Sequence, residues 1–128
     1  MKKLLTLITA AFCAVHVYAG EFPDISINEV KTAIETKKAT IIDVNGSDSW
    51  KAGHVPGALD FQSKRAELAK ILPADKGALV IAYCGSPSCS AYAQAATAAK
   101  ELGYTNVKHM SAGISGWKEA GAPLEKGK

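Results

Sequence analysis

Apolar residues fall in two kinds of pattern along this chain. Over Ala39-Thr40-Ile41-Ile42-Asp43-Val44 and Leu79-Val80-Ile81-Ala82-Tyr83 they run almost without a break and are rich in β-branched side chains. Such a run predicts a strand covered on both faces. Asn106-Val107-Lys108-His109-Met110 is a weaker third strand, with His109 at an edge-like surface position, and Ala58-Leu59-Asp60-Phe61 is a short extra one. Between these runs the spacing becomes helical. Ile27, Val30, Ala33 and Ile34 share one face of a helix, with Ser26 as N-cap and Glu29 three residues on, the reciprocal capping-box arrangement. Lys64–Ile71 and Ser90–Leu102 read as two more helices, the second stopped by Gly103. The alanine-rich stretch from Ala91 to Ala99 lets that helix approach a sheet closely. Strands alternating with helices predict an α/β domain with a mostly parallel sheet.

The first residues follow a different pattern. Met1-Lys2-Lys3 is a short basic start, Leu4 to Val17 is an apolar run, and Val17-Tyr18-Ala19 closes it with small residues at the cleavage positions. That order predicts a secretory signal peptide over residues 1–19, cleaved after Ala19, and a single domain over 20–128. The apolar run is shorter than the ~18–20 residues a membrane span needs. The expected location is therefore periplasmic or secreted, with no membrane association after cleavage. Cleavage would leave Cys84 and Cys89 as the only cysteines, in a compartment where thiols pair. Two cysteines do not make a disulfide scaffold, so the pair calls for a chemical explanation.

Composition narrows the function. The net charge is +3, from 15 Lys+Arg against 12 Asp+Glu, and Arg65 is the only arginine. The lysines, Lys51, Lys64 and Lys108 among them, are scattered singly and read as solvated charges. No basic stripe is present to bind nucleic acid. With 48% apolar residues the chain can build an ordinary core, which excludes disordered and fibrous classes.

In open α/β sheets the working site lies beyond the carboxyl ends of the strands. Beyond Tyr83 comes Cys84-Gly85-Ser86-Pro87-Ser88-Cys89, a surface strand-to-helix loop of small residues with a thiol at its first position. Successive backbone N–H groups in Gly85, Ser86 and Ser88 can turn inward around one atom. The positive end of a helix starting near Ser88–Ser90 would add to their field. Both favour a thiolate at Cys84, the reactive form of a cysteine nucleophile. Cys89 has three readings: a second redox thiol able to resolve a Cys84 intermediate, an inert small residue at a helix start, or a metal ligand. Zinc would need two further ligands, and the residues offer no metal site; no cofactor is expected. Asp43, ending a buried strand, either tunes the cysteine or satisfies loop N–H groups. His54, in Gly53-His54-Val55-Pro56-Gly57, is expected to bond the backbone of its turn. Trp50 and Trp117 read as packing anchors and Tyr83 as a core residue.

Three segments in order resemble the rhodanese, or thiosulfate sulfurtransferase, domain over about residues 24–125. They are Ile42-Asp43-Val44 followed by Trp50-Lys51-Ala52-Gly53-His54-Val55-Pro56-Gly57-Ala58, the loop from Tyr83-Cys84 to Ser90, and Met110-Ser111-Ala112-Gly113-Ile114-Ser115-Gly116-Trp117. The resemblance implies a sheet of about five strands, mostly parallel, with helices on both faces. It further implies that Cys84 carries sulfane sulfur as a persulfide, between a small sulfur donor and a thiol acceptor that is itself a small molecule or a protein. Two positions depart from the family pattern. Cys89 stands where the loop usually ends in Arg, and Asn45 follows Asp-Val where the family has Arg. Two cations expected to hold thiosulfate are thus missing, which puts that donor in question. The related phosphatase-type loop is one residue longer and carries an Arg, so phosphate-ester hydrolysis does not fit. Two rivals remain, a thiol–disulfide protein cycling Cys84 and Cys89, and a catalytically silent binding module of the same fold.

Overall fold

The computed structural model describes residues 22–127, and the segment read as a signal peptide lies outside them. In chain order the elements are α1 (Ile27–Glu35), β1 (Ala39–Asp43), α2 (Ser47–Ala52), β2 (Leu59–Asp60), α3 (Phe61–Lys64), a 3-10 turn (Arg65–Glu67), α4 (Leu68–Ile71), β3 (Leu79–Tyr83), α5 (Tyr92–Glu101), β4 (Val107–His109) and α6 (Gly113–Glu119). The strands form one sheet in the order β2-β1-β3-β4, and every pairing is parallel.

The unbroken apolar runs explain why β1 and β3 lie inside this sheet. Alternate side chains of a strand face opposite ways. Ile42, Val80 and Ala82 therefore enter one core with Phe61, Leu68 and the Ala95, Ala96 and Ala99 face of α5. Ile41, Ile81 and Tyr83 enter a second core with Val30 and Ala33 of α1 and Trp117 of α6. Each fully buried branched aliphatic contributes about 1.5–3 kcal/mol of apolar transfer energy. The three buried alanines of α5 replace bulk with proximity, holding that helix close to the sheet. At the start of α1 the capping box forms as expected, with Glu29 N–H donating to Ser26 Oγ at 3.1 Å and Ser26 N–H to Glu29 Oε1.

Four expectations need correction. The sheet has four strands among the described residues, not about five. The missing edge is reduced to a single parallel bridge between Asp24 and His109, because Pro23 O and Ile25 N–H bond only the backbone of His109. That bridge, together with Tyr92, covers His109. It is 8% exposed rather than a surface residue, and its ring stacks on Tyr92 with centroids 3.3 Å apart. The helix expected over Lys64–Ile71 starts earlier, at Phe61 capped by Asp60, and is broken by the 3-10 turn. The helix expected from Ser90 begins at Tyr92.

Candidate functional site

β3 is an interior strand, so its carboxyl end emerges in the middle of the sheet's upper edge. Cys84 is the first residue beyond it. The loop lies at the surface as expected, with Pro87 and Ser88 exposed, but Cys84 at its start is 1% exposed and packs in the same apolar cluster as Phe61, Tyr92 and Ala95. Its partner is Cys89. The two sulfurs are joined in a disulfide, with Cα atoms 6.2 Å apart. The turn that makes this possible is closed by Cys89 N–H donating to Ser86 O at 3.0 Å. Cys89 is only partly buried and lies ahead of α5, so it is not the helix-start residue the sequence suggests.

The loop backbone is held from the other side by α6. Ile114 N–H donates to Cys84 O at 2.9 Å and Ser115 N–H to Gly85 O at 3.0 Å. A trans peptide places its N–H opposite its C=O. With both carbonyls drawn toward α6, the N–H groups of Gly85 and Ser86 point away from that helix. Such closeness depends on Gly113, whose φ is +65°; a Cβ there would lie 2.7 Å from Gly85 C and from Ser86 N. Gly113 belongs to the closing segment of the resemblance, and its spatial role could not be read from spacing alone.

Asp43 and Tyr83 end the adjacent strands β1 and β3 in register. Tyr83 Oη donates to Asp43 Oδ2 at 2.6 Å and accepts from Val55 N–H at 3.0 Å. Asp43 Oδ1 accepts from Asn45 N–H at 2.7 Å. Asp43 is therefore the buried structural carboxylate that satisfies a loop amide, one of its two readings. Burial pushes its carboxyl above the ordinary value, against the opposing bonds from Tyr83 and Asn45. Burial first, then the Asp43 charge and hydrogen bond, hold the Tyr83 hydroxyl protonated far beyond its usual range. The network shapes the β1–α2 loop, and Asn45 Oδ1 comes within 3.6 Å of where a Gly85 side chain would begin. His54 is buried with Nδ1 2.7 Å from Trp50 O, the expected turn-bonding role, and its ring stacks on Trp50. Trp117 is fully buried with Nε1–H donating to Pro123 O at 2.7 Å, and half-buried Trp50 donates to Ala58 O at 2.8 Å, as packing anchors do.

Past the carboxyl end of β1 is a groove of about 260 Å³ lined by Val44, Gly46, Phe61, Gln62, Arg65 and Gln94. Val44 ties it to the cysteine, since its N–H bonds Tyr83 O at 3.0 Å and its side chain packs on the Cys84 cluster. The Arg65 guanidinium lies over the Phe61 ring, 5.6 Å from the centroid, and no carboxylate among the described residues pairs with it. In the sequence Arg65 stands out only as the lone arginine; its place in this groove depends on three segments far apart in the chain.

The fold is thus an α/β domain with a parallel sheet and a cysteine pair just past the carboxyl end of an interior strand. Residues 26–120 match the family model for the rhodanese-like domain, and the chain belongs to that family. It is 30% identical over 122 residues to the HTH-type transcriptional regulator Rv0324 of Mycobacterium tuberculosis, covering 94% of this chain but about half, 53%, of the regulator. It is 28% identical over 104 residues to the thiosulfate sulfurtransferase GlpE of Shewanella oneidensis, covering 80% of this chain and 99% of that protein. Among solved structures, the human single-domain sulfurtransferase TSTD1 superposes with a TM-score of 0.62 at 22% identity, covering 77% of this chain and 97% of that one.

Proposed function

We propose that this protein is a sulfurtransferase whose reduced Cys84 carries sulfane sulfur as a persulfide. The observation that carries the reading is the placement of Cys84 at the carboxyl end of an interior parallel strand, on a loop whose Cys84 and Gly85 carbonyls are fixed by bonds from α6. Loop amides turned toward the reduced sulfur would lower the thiol pKa and stabilise a persulfide anion. In the first half-reaction the Cys84 thiolate attacks the outer sulfur of a donor such as thiosulfate. The Sγ–S bond forms, the sulfur–sulfur bond of the donor breaks, and sulfite leaves with the electron pair. In the second, an acceptor thiolate takes the outer sulfur and Cys84 leaves as thiolate. No cofactor is needed. An anionic donor or acceptor finds a cation at Arg65, in the groove lined by Val44 and Phe61, in place of the arginines absent at positions 45 and 89. The sulfurtransferase names of two relatives support the class of reaction. A signal peptide over residues 1–19 places this activity in the periplasm or outside the cell; a mature N-terminus at Gly20 is the expected finding.

The Cys84–Cys89 bond favours a second reading, a protein that only exchanges electrons between dithiol and disulfide. The test starts from reduced protein mixed with a sulfane-sulfur donor. A sulfurtransferase passes through a species with the mass of one added sulfur, keeps it as Cys89→Ser until a thiol is added, and shows no gain as Cys84→Ser. A redox protein loses two hydrogens and gains no sulfur at any time, its Cys89→Ser variant gains none either, and a silent module changes in neither way.

A further inference from the structure

We propose that Cys89 is a resolving thiol which converts the Cys84 persulfide into free sulfide, so that one branch of the reaction is reductive and consumes a dithiol. This rests on the sulfurtransferase reading and extends it to a second product. The structure brings the two sulfurs within bonding distance across a turn, and the Cα separation of 6.2 Å is in the range that disulfide geometry requires. No other part of the fold has to move for Cys89 Sγ to meet Cys84 Sγ.

The step balances without an outside oxidant. The Cys89 thiolate attacks Cys84 Sγ, the bond between Sγ and the outer sulfur breaks, and the outer sulfur leaves with the electron pair. It departs as hydrosulfide, taking the proton that Cys89 gave up. Sulfane sulfur is reduced to sulfide and the two thiols are oxidised to the disulfide seen here. Restoring the enzyme then requires a dithiol reductant.

Burial says which sulfur that reductant attacks. Cys84 is 1% exposed, whereas Cys89 is only partly buried. The reductant's thiolate therefore attacks Cys89 Sγ and expels Cys84 as thiolate into the loop amides, the direction in which the better-stabilised anion leaves. The reductant's second thiol then frees Cys89. The partner is thus a dithiol that presents an exposed nucleophilic sulfur, and the reaction that supplies it must deliver two electrons per sulfide.

The test uses reduced full-length protein loaded with inorganic polysulfide, rapidly desalted and followed in time by sulfide release and by the mass of the 84–89 segment. Wild type releases one sulfide for each disulfide formed. Cys89→Ser keeps its persulfide roughly tenfold longer or more, as expected when an intramolecular nucleophile is removed. That variant still hands its sulfur to an added thiol, which shows that it is folded and loaded. Equal persulfide lifetimes, or sulfide released without disulfide, would overturn the resolving role while leaving the sulfurtransferase reading intact. Failure of both proteins to take up sulfur would overturn both.

Discussion

Gly113→Ala tests the contact that shapes the loop. Two costs are expected, and a second glycine separates them. Gly113 and Gly57 both hold left-handed backbone, at φ +65° and +80°, but a Cβ at Gly57 would meet nothing within 4 Å, whereas one at Gly113 would press on the backbone of Gly85 and Ser86. Placing alanine in that conformation costs about 1–2 kcal/mol, reduced by about 0.4–1 kcal/mol because alanine also restricts the unfolded chain. Gly57→Ala should therefore cost up to about 1.5 kcal/mol. Gly113→Ala adds the overpacking term, typically about 1–3 kcal/mol, because the atoms it meets are backbone and cannot rotate aside. A total of about 1–4.5 kcal/mol follows. The displaced segment carries the amides around Cys84, so sulfur loading should slow by about 10–100-fold, the scale expected of a misplacement near 1 Å. Urea unfolding gives the stability difference, and a loading time course on reduced protein gives the rate. If Gly113→Ala is no more destabilising than Gly57→Ala, or loads sulfur at the wild-type rate, the contact between α6 and the loop does not hold the site.

Tyr83→Phe removes a buried hydroxyl with two partners, leaving Asp43 Oδ2 without the Tyr83 donor and Val55 N–H without an acceptor; denaturant unfolding should show a loss of about 2–4 kcal/mol. Burial lowers the pKa of His109, with the Asp24 charge opposing. Its neutral form therefore contributes stability that is complete above the unfolded value of about 6.5 and is lost as pH falls through the depressed folded value. Thermal unfolding between about pH 7 and pH 5 should show that loss, and His109→Phe, which keeps a ring on Tyr92, should flatten it. Arg65→Gln should raise KM for an anionic donor about two- to fivefold with kcat unchanged, as an exposed charge contact of about 0.5–1 kcal/mol implies; a matched effect on a neutral persulfide donor would point to packing instead of charge.

What could be read in the sequence was local. The capping box of α1 involves residues three apart, the buried strands β1 and β3 declare themselves by continuous apolar runs, and the His54 ring bonds Trp50 O only four residues back, although the backbone of His54 pairs with distant Glu125. That Cys84 stands just past the end of β3 was legible from the run that ends at Tyr83. What escaped depends on segments distant in the chain. His109 looks like an edge residue until Pro23–Ile25 pairs with it and Tyr92 stacks on it. Cys84 looks like a surface residue until Phe61 and Tyr92 close over it. The closeness of Gly113 to Gly85 and the position of Arg65 beside Val44 are products of the assembled sheet, with no trace in local spacing.

The central claim is that sulfur resides on Cys84. Reduced protein, loaded with a sulfane-sulfur donor and alkylated at once, is digested and its cysteine peptides are weighed. The account predicts one added sulfur per chain, borne by Cys84 and absent from Cys84→Ser. Sulfur found only on Cys89, or on neither cysteine after full reduction, would contradict it.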